Sequence, residues 1–390
     1  MSVASVLLVC QFGLPVRGLS PYCNTLLEAL QAEQDLYVKP VDYRAAYPGI
    51  LHPAVRTGAL SPPGKLHWGN PLSWRRVAQI DADIIHLQYW LAPMSCYLAP
   101  LVSMAKRAGK RIVITVHNPS MHESLRWTTL FENKLLNQAD ALVVHDARGA
   151  TALQERFSIM PERIHIIPHG VCVSSSPVLF KTSDYALLGL DPGRRYVCIF
   201  GNLRGYKGID VLLDAWSKVV EKLVDVDLVI AGRFWAGQSG VGARLVAKML
   251  GTDRDEKRLR SILSLPGLTN RVHLFEGFQS DESIDALIRL SELAVFPYVR
   301  FNSQSGATCR AAGQGCPVLV SDVGGLPDLA IDTSWVVNAG DADELASALV
   351  EKLSQPGDLQ VNRELQLERT RAYAWPMIAS AHAALYRRLI

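Results

Sequence analysis

Short runs of aliphatic and β-branched residues, each closed by a turn residue, recur along the chain between stretches whose apolar positions repeat every three or four residues. In the first half the runs are VASVLLVC at 3–10, ADIIHLQ at 82–88, RIVITVH at 111–117 and ADALVVH at 139–145. The rhythm restarts after residue 190 with RYVCIFG at 195–201, VDLVIAG at 226–232, RVHLFEG at 271–277, ELAVFP at 292–297 and CPVLVSD at 316–322. Apolar strands alternating with helical patterns predict a parallel sheet covered on both faces, and the restart predicts two doubly wound α/β domains. The expected boundaries are 1–172 for the first domain, 173–194 for a linker, 195–366 for the second domain and 367–390 for a closing helix. The linker assignment rests on its Ser run, prolines and glycines.

Helix signals agree with this parsing. Ser20-Pro21 before YCNTLLEAL predicts an N-cap followed by proline at the first helical position. In GIDVLLDAWSKVVEKL, residues Val211, Leu212, Ala215, Trp216, Val219 and Val220 form one helical stripe directly after a Gly-rich loop.

Composition narrows the function classes. With 390 residues, 49% apolar and 20% charged, the chain is globular and long enough for two cores. A net charge of +3 is too balanced for nucleic acid to be the expected partner. The seven cysteines are scattered without Cys-x-x-Cys spacing, which argues against a disulfide framework or a zinc ribbon and for a reducing cytoplasm. The opening MSVASVLLVCQFG lacks a basic start and reads as a buried strand rather than an export signal. The longest apolar region, 84–105, is interrupted by His86, Gln88, Pro93 and Pro100, so any membrane contact is expected to be peripheral.

Three segments carry candidate chemistry. FGNLRGYKGIDVLLDAW at 200–216 places a strand end, Gly201, Arg204 and Lys207 ahead of an amphipathic helix, with Lys207 expected at a solvent-facing loop tip. Backbone N–H groups and two cations at the carboxyl edge of a parallel sheet suit a diphosphate; a plain βα turn with solvated charges is the competing reading. In FNSQSGATCRAAGQG, 301–315, Ser303 or Ser305 can cap a helix whose N-terminus would again face an anion. A small-residue helix packed on a sheet explains the same pattern without a ligand. The first βα loop, QFGLPVRGLSPY at 11–22, contains Gly18 but not the GxGxxG fingerprint, which argues against a nicotinamide enzyme. The three Asp-x-Asp patterns, at 81–83, 225–227 and 341–343, lie at strand starts or in turns and are not expected to bind metal. Lys106 and Arg107 fit the last turn of a helix better than a membrane contact.

Taken in order, the first loop and helix, TVHN at 115–118, IIPHGV at 166–171, FGNLRGYKG at 200–208, VIAGR at 229–233, HLFEGFQSDESIDAL at 273–287 and DVGGLPD at 322–328 resemble the retaining GT-B glycosyltransferases. The resemblance spans nearly the whole chain. It implies two Rossmann-like domains facing a cleft, with YAWPMIASAHAALYRRL at 373–389 crossing back onto the first. It further implies transfer from a nucleotide diphosphate sugar to a glycan or lipid-linked acceptor hydroxyl with retention of configuration, without a metal or other cofactor. His117, Arg204 and Lys207 take the catalytic positions. Gly18, Gly201, Arg233, Glu276, Gly277, Phe278, Gln304, Ser305 and Gly306 join Arg204 and Lys207 around the donor. The His117 ring is expected beside the sugar, His86 and His145 as packing residues, and His169 in an interdomain loop. Asn302 and Arg310 stand where the family usually carries two glutamates, the second holding the ribose. Arg310 either approaches the phosphates or turns away into a salt bridge. That loss motivates a second reading, a non-catalytic sugar-nucleotide-binding or scaffold protein.

Overall fold

The computed structural model describes residues 3–12, 19–46, 65–119, 128–234, 260–261, 267–354 and 359–390. The chain packs into two compact units, Met1–Gly170 with Tyr373–Ile390, and Val171–Ala372.

The first unit is built on strands β1 (Ala4–Cys10), β2 (Leu36–Ala45), β3 (Leu66–His67), β4 (Ile84–Tyr89), β5 (Arg111–Val116), β6 (Ala141–Val144) and β7 (Ile164–Ile166), in the parallel order β3-β2-β1-β4-β5-β6-β7. Helices α1 (Ser20–Gln31), α2 (Pro71–Ala78), α3 (Ser95–Arg107), α4 (Thr128–Gln138) and α5 (Ala147–Phe157) connect them. The central strands β1, β4, β5 and β6 are almost wholly buried, which is why they read as unbroken apolar runs. β2 escapes such a reading because its burial alternates and Pro40 interrupts it. That proline is tolerated because β3 pairs only with Tyr43 and Ala45, leaving Pro40 on an open edge.

The second unit contains α6 (Thr182–Leu188), β8 (Arg195–Phe200), α7 (Ile209–Lys222), β9 (Val226–Gly232), β10 (Val272–Glu276), α8 (Asp281–Leu290), β11 (Ser291–Phe296), α9 (Gly306–Gly313), β12 (Val318–Ser321), β13 (Val336–Val337), α10 (Ala342–Leu353) and α11 (Leu359–Arg371). Its parallel order is β10-β9-β8-β11-β12-β13. On α7 the expected stripe is buried at Leu212, Ala215, Trp216 and Val219 and joined by Ile209 and Leu213, whereas Val211 and Val220 sit at its margin.

Segment 173–194 is part of the second unit rather than a separate linker. Ser174 N–H donates to the Gly313 carbonyl, and Arg289 makes a two-pronged ion pair with the buried Asp184 of α6 at 2.7 and 2.9 Å. Likewise the chain leaves this unit after Ala372, later than the expected residue 367. Buried Gln366 on α11 accepts from Val318 N–H and donates to the Leu329 carbonyl, so the helix is tied down through that point.

The closing helix α12 (Trp375–Leu389) completes the first unit. Its Trp375, Ile378, Ala379, Ala383 and Tyr386 enter the core with Cys10, Tyr22, Cys23 and Leu26 from β1 and α1. Two expectations change here. Ser20 is not a cap, because α1 starts one residue earlier, with Leu19 at the N-cap and no side-chain cap bond. Cys10 and Cys23 are joined in a disulfide at a Cα–Cα separation of 6.2 Å, where the scattered spacing argues against a disulfide framework. Packing α1 onto the end of β1 brings the two buried residues together, a proximity that spacing does not reveal.

Gly170 marks where the first unit receives its last helix. A Cβ there would fall inside the indole of Trp375, so Gly170→Ala is expected to displace Trp375 and lower stability by roughly 1–3 kcal/mol. Denaturant unfolding of the purified variant, monitored by tryptophan fluorescence, checks this.

Candidate functional site

In a doubly wound sheet, ligands bind beyond the carboxyl ends of the strands where the strand order reverses. In the second unit that point lies between β8 and β11. The two loops leaving it are locked together: Val299 N–H donates to the Tyr206 carbonyl at 2.9 Å, and Tyr206 stacks on Phe301 at 6.0 Å with their planes 7° apart. Gly208 has φ +65° and abuts the Pro297 carbonyl, so no side chain fits between the loops.

Lys207 lies inside this junction rather than at the exposed tip expected of it; only 5% of the residue is exposed. The turn closed by Gly208 folds it back beneath the loop. Its Nζ sits 5.1 Å from the Tyr298 ring centre and 3.5 Å from the Phe200 carbonyl, with no carboxylate partner among the described residues. Burial lowers its pKa, and the neighbouring Arg204 charge adds to that while Tyr206 opposes it. An ammonium with three donors and one long hydrogen bond is under-satisfied and would gain from an anion.

The second loop brings its own anion-binding elements. Ser305 caps α9, accepting from Thr308 N–H, and its hydroxyl lies 2.9 Å from Tyr298 Oη. Tyr298 therefore touches both the lysine and the helix N-terminus. Ser303, Gln304 and Ser305 are buried, while the space above Gly306 is open. Among the described residues, Arg233 has no side-chain partner; its carbonyl accepts from Leu203 N–H, which places it beside the β8 loop. Glu276, at the end of the edge strand β10, pairs with Arg260 at 2.8 Å. Gly277 and the exposed Phe278 follow it. Gly18 lies outside the described residues.

Arg310 turns away from the junction. It pairs with Asp285 at 2.7 and 2.9 Å and with Asp281 at 2.6 Å, both on α8. Each Asp-x-Asp pattern has at least one aspartate engaged by a structural partner. Asp83 accepts from Ser5, and Asp341 caps α10. Asp227 is held by Arg194, Arg271 and His273. Burial pushes the Asp227 pKa up, but these three donors outweigh it and the net shift is downward.

In the first unit the order reverses between β1 and β4. Beginning at β4, a line of buried polar side chains crosses the sheet edge. Tyr386 Oη lies 2.7 Å from His86 Nδ1, and His86 Nε2 lies 3.1 Å from one end of the Gln88 amide. The other end of that amide is 2.8 Å from His117 Nε2, His117 Nδ1 is 3.1 Å from His145 Nε2, and His145 Nδ1 is 3.0 Å from the Ile167 carbonyl. The Ile167 carbonyl can only accept, so His145 carries its proton on Nδ1 and His117 on its own Nδ1. A neutral His117 then needs a donor at Nε2, which assigns the Gln88 NH2 to His117 and its oxygen to His86. Burial first, then the adjacent histidines, holds His117 well below its ordinary pKa, in keeping with neutral rings. Both ring nitrogens of His117 are thus committed within this unit, and the expected ring contact to a sugar would have to displace one of them.

Gln88 is the residue that sequence reading missed. A signal was present: His86 and Gln88, like Thr115 and His117, are polar residues two apart on otherwise apolar strands, and so share a face. His86 and His145 are members of this polar line as well as packing residues. His169 packs within the first unit, 4.8 Å from the Tyr22 ring centre.

Comparison with known proteins places these two regions in context. The family model for glycosyl transferases group 1 matches residues 194–355, and that for glycosyltransferase family 4 matches 16–175, so the two cover most of the chain. The chain belongs to the GT-B glycosyltransferases. This glycosyltransferase is 25% identical over 336 residues to a D-inositol 3-phosphate glycosyltransferase of Corynebacterium aurimucosum, covering 82% of this chain and 74% of that one. Its fold resembles a sucrose-phosphate synthase from Thermosynechococcus elongatus, with a TM-score of 0.69, 19% identity and 99% of each chain covered. It also resembles Anabaena Alr3699/HepE in complex with UDP-glucose, with a TM-score of 0.71, 17% identity and 98% and 99% covered. No helix among the described residues is long and apolar enough to cross a membrane.

Two outcomes test the site's electrostatics. The pKa of His145 is pushed down to about 3, and those of His169 and His382 to about 4, chiefly by burial. Below the ordinary value of 6.5 the unfolded chain binds protons that the native rings refuse. Stability is therefore full above that pH and is lost on acidification toward 4, by roughly 1.4 kcal/mol per pH unit for each histidine. Urea unfolding at a series of pH values measures the slope. Since Arg310 points to α8, Arg310→Ala is expected to leave nucleotide affinity within about twofold while losing roughly 1 kcal/mol of stability. Isothermal titration with UDP and GDP, alongside urea unfolding, reads both quantities.

Proposed function

We propose that this glycosyltransferase takes a nucleotide diphosphate sugar on its second unit and transfers the sugar, with retention of configuration, to a hydroxyl of a glycan or lipid-linked acceptor bound by its first unit. The observation that carries the donor assignment is the under-satisfied Lys207 ammonium, buried at the β8–β11 junction beside the N-terminus of α9. A diphosphate supplies the charge this junction lacks. The solved complex of Anabaena Alr3699/HepE with UDP-glucose, a protein of similar fold, supports a nucleotide sugar as the ligand.

In this reading, Lys207 and Arg204 stabilise charge developing on the departing phosphate, each at roughly 3 kcal/mol when well placed. Gly201, Arg233, Glu276, Gly277, Phe278, Gln304, Ser305 and Gly306 surround the donor, and Gly18 belongs to the same proposal. With Arg310 committed to α8, the ribose is left to backbone groups and the 275–278 segment. His117 contributes through its fixed place at the end of β5 and the backbone there, because its ring is already bonded on both sides. Positive charge from the protein takes the place of a metal ion, and the acceptor hydroxyl attacks on the face the diphosphate leaves, without a protein nucleophile.

Lys207→Met, which keeps the buried volume and removes the charge, is expected to lower kcat by 10²–10³-fold while the protein stays folded. Turnover is measured with a panel of nucleotide sugars and a crude acceptor extract, and the same assay with EDTA is expected to run within twofold of the untreated rate. A Lys207→Met enzyme of near-normal rate at saturating donor would refute the donor assignment, and metal-restored activity would refute metal independence.

A further inference from the structure

Acidic residues make up 37 of 390 positions, yet none occurs between Tyr43 and Ile80, a stretch that carries Arg44, Arg56, Lys65, Arg75 and Arg76. At that overall frequency about three or four acids would be expected in such a length. The fold gathers part of this stretch around one concavity. A pocket of about 550 Å³ beside β3 is lined by Arg44, Lys65, His67, Asn70, Ser73 and Arg76, with Val77 and Ile80 as its apolar floor. Among the described residues no carboxylate lines it. Arg44, Lys65 and Arg76 are exposed, and none has an ion pair or side-chain hydrogen bond among the described residues.

Some exposed arginines of this chain find acids: Arg387 pairs with Asp35, and Arg371 with Glu368. Three unneutralised cations around one concave surface raise the local concentration of anions and offer a forked guanidinium from two sides. We infer that this pocket is a binding site for a phosphate group. Arg44 lies at the carboxyl end of β2, on the same sheet edge as His117 beyond β5, three strand spacings away in the order β2-β1-β4-β5. That is roughly 14 Å. The pocket therefore takes a phosphate at the distal end of a ligand whose other end reaches the strand ends at His117. Resting on the assignment of the acceptor to the first unit, this makes the acceptor a phosphate-bearing molecule. The phosphate belongs either to a soluble phosphorylated sugar or to a lipid headgroup.

The test titrates inorganic phosphate and glucose 1-phosphate into wild-type protein, Lys207→Met and Arg44→Ser/Arg76→Ser, by isothermal calorimetry. Lys207→Met silences the phosphate-binding junction of the second unit, so affinity it shares with the wild type belongs to the pocket. The double serine variant is expected to bind at least tenfold more weakly, with Arg44→Lys/Arg76→Lys restoring most of the loss. Both arginines are exposed, and unchanged urea unfolding confirms that the variants are folded. Co-sedimentation with phosphatidylglycerol vesicles that is lost in the serine variant assigns the phosphate to a lipid; binding of glucose 1-phosphate without vesicle binding assigns it to a soluble sugar. Phosphate binding within twofold of wild type in the serine variant, or no binding of either source, overturns the inference. These readouts do not require turnover, so a failure here is separable from a failure of Lys207→Met to lose activity.

Discussion

A parallel sheet leaves neither face bare, and that requirement organises this protein. Each strand must return through a helix laid on one face or the other, so in each unit the chain builds outward from a central strand and then reverses. In the second unit it runs from β8 to β9 and β10, then returns to place β11 on the other side of β8. The helices that follow β8 and β11 consequently start next to one another. Their loops are free of sheet pairing, and the Tyr206–Phe301 stack and the Gly208 turn seal them into one junction. The first unit solves the same problem between β1 and β4, with α12 supplied from the far end of the chain to cover the face that α1 leaves open.

Charge is distributed unevenly over this frame. Several cations that support the fold meet an acid: Arg289 with Asp184, Arg194 and Arg271 with Asp227, Arg310 with Asp281 and Asp285; Arg363 and Lys110 rest on backbone carbonyls instead. Burial of such a pair is tolerable because each charge solvates the other. Lys207 is buried without an acid among the described residues, against an aromatic face and one carbonyl. The buried histidine line of the first unit avoids the problem by staying neutral, and its direction is fixed by the single carbonyl of Ile167 at its end. The polar line of the first unit is thereby kept neutral, and the β8–β11 junction of the second is left short of negative charge.

The fold and its two-unit plan were legible in the sequence because buried parallel strands are continuous apolar runs and their helices carry a 3.6-residue period. Arg204, Lys207 and a serine cap at 303 or 305 were legible for the same reason: they sit at fixed offsets from a strand end and a helix start; the structure settles the cap on Ser305. The period of a chain reports burial and element type, and these are local properties. It does not report which distant elements share a face. The Cys10–Cys23 bond, the Tyr386–His86–Gln88–His117–His145 line and the seat of Trp375 against Gly170 each join segments that only packing brings together. Direction of a side chain is also a tertiary matter. Lys207 and Arg310 are both cations near a helix in sequence, but the Gly208 turn folds one inward beneath Tyr298, while α8 offers the other two aspartates and draws it out. The sequence by itself determined where strands, helices and candidate cations fall; the tertiary structure alone decided which of those cations would be neutralised, because that depends on the acids that packing places beside them.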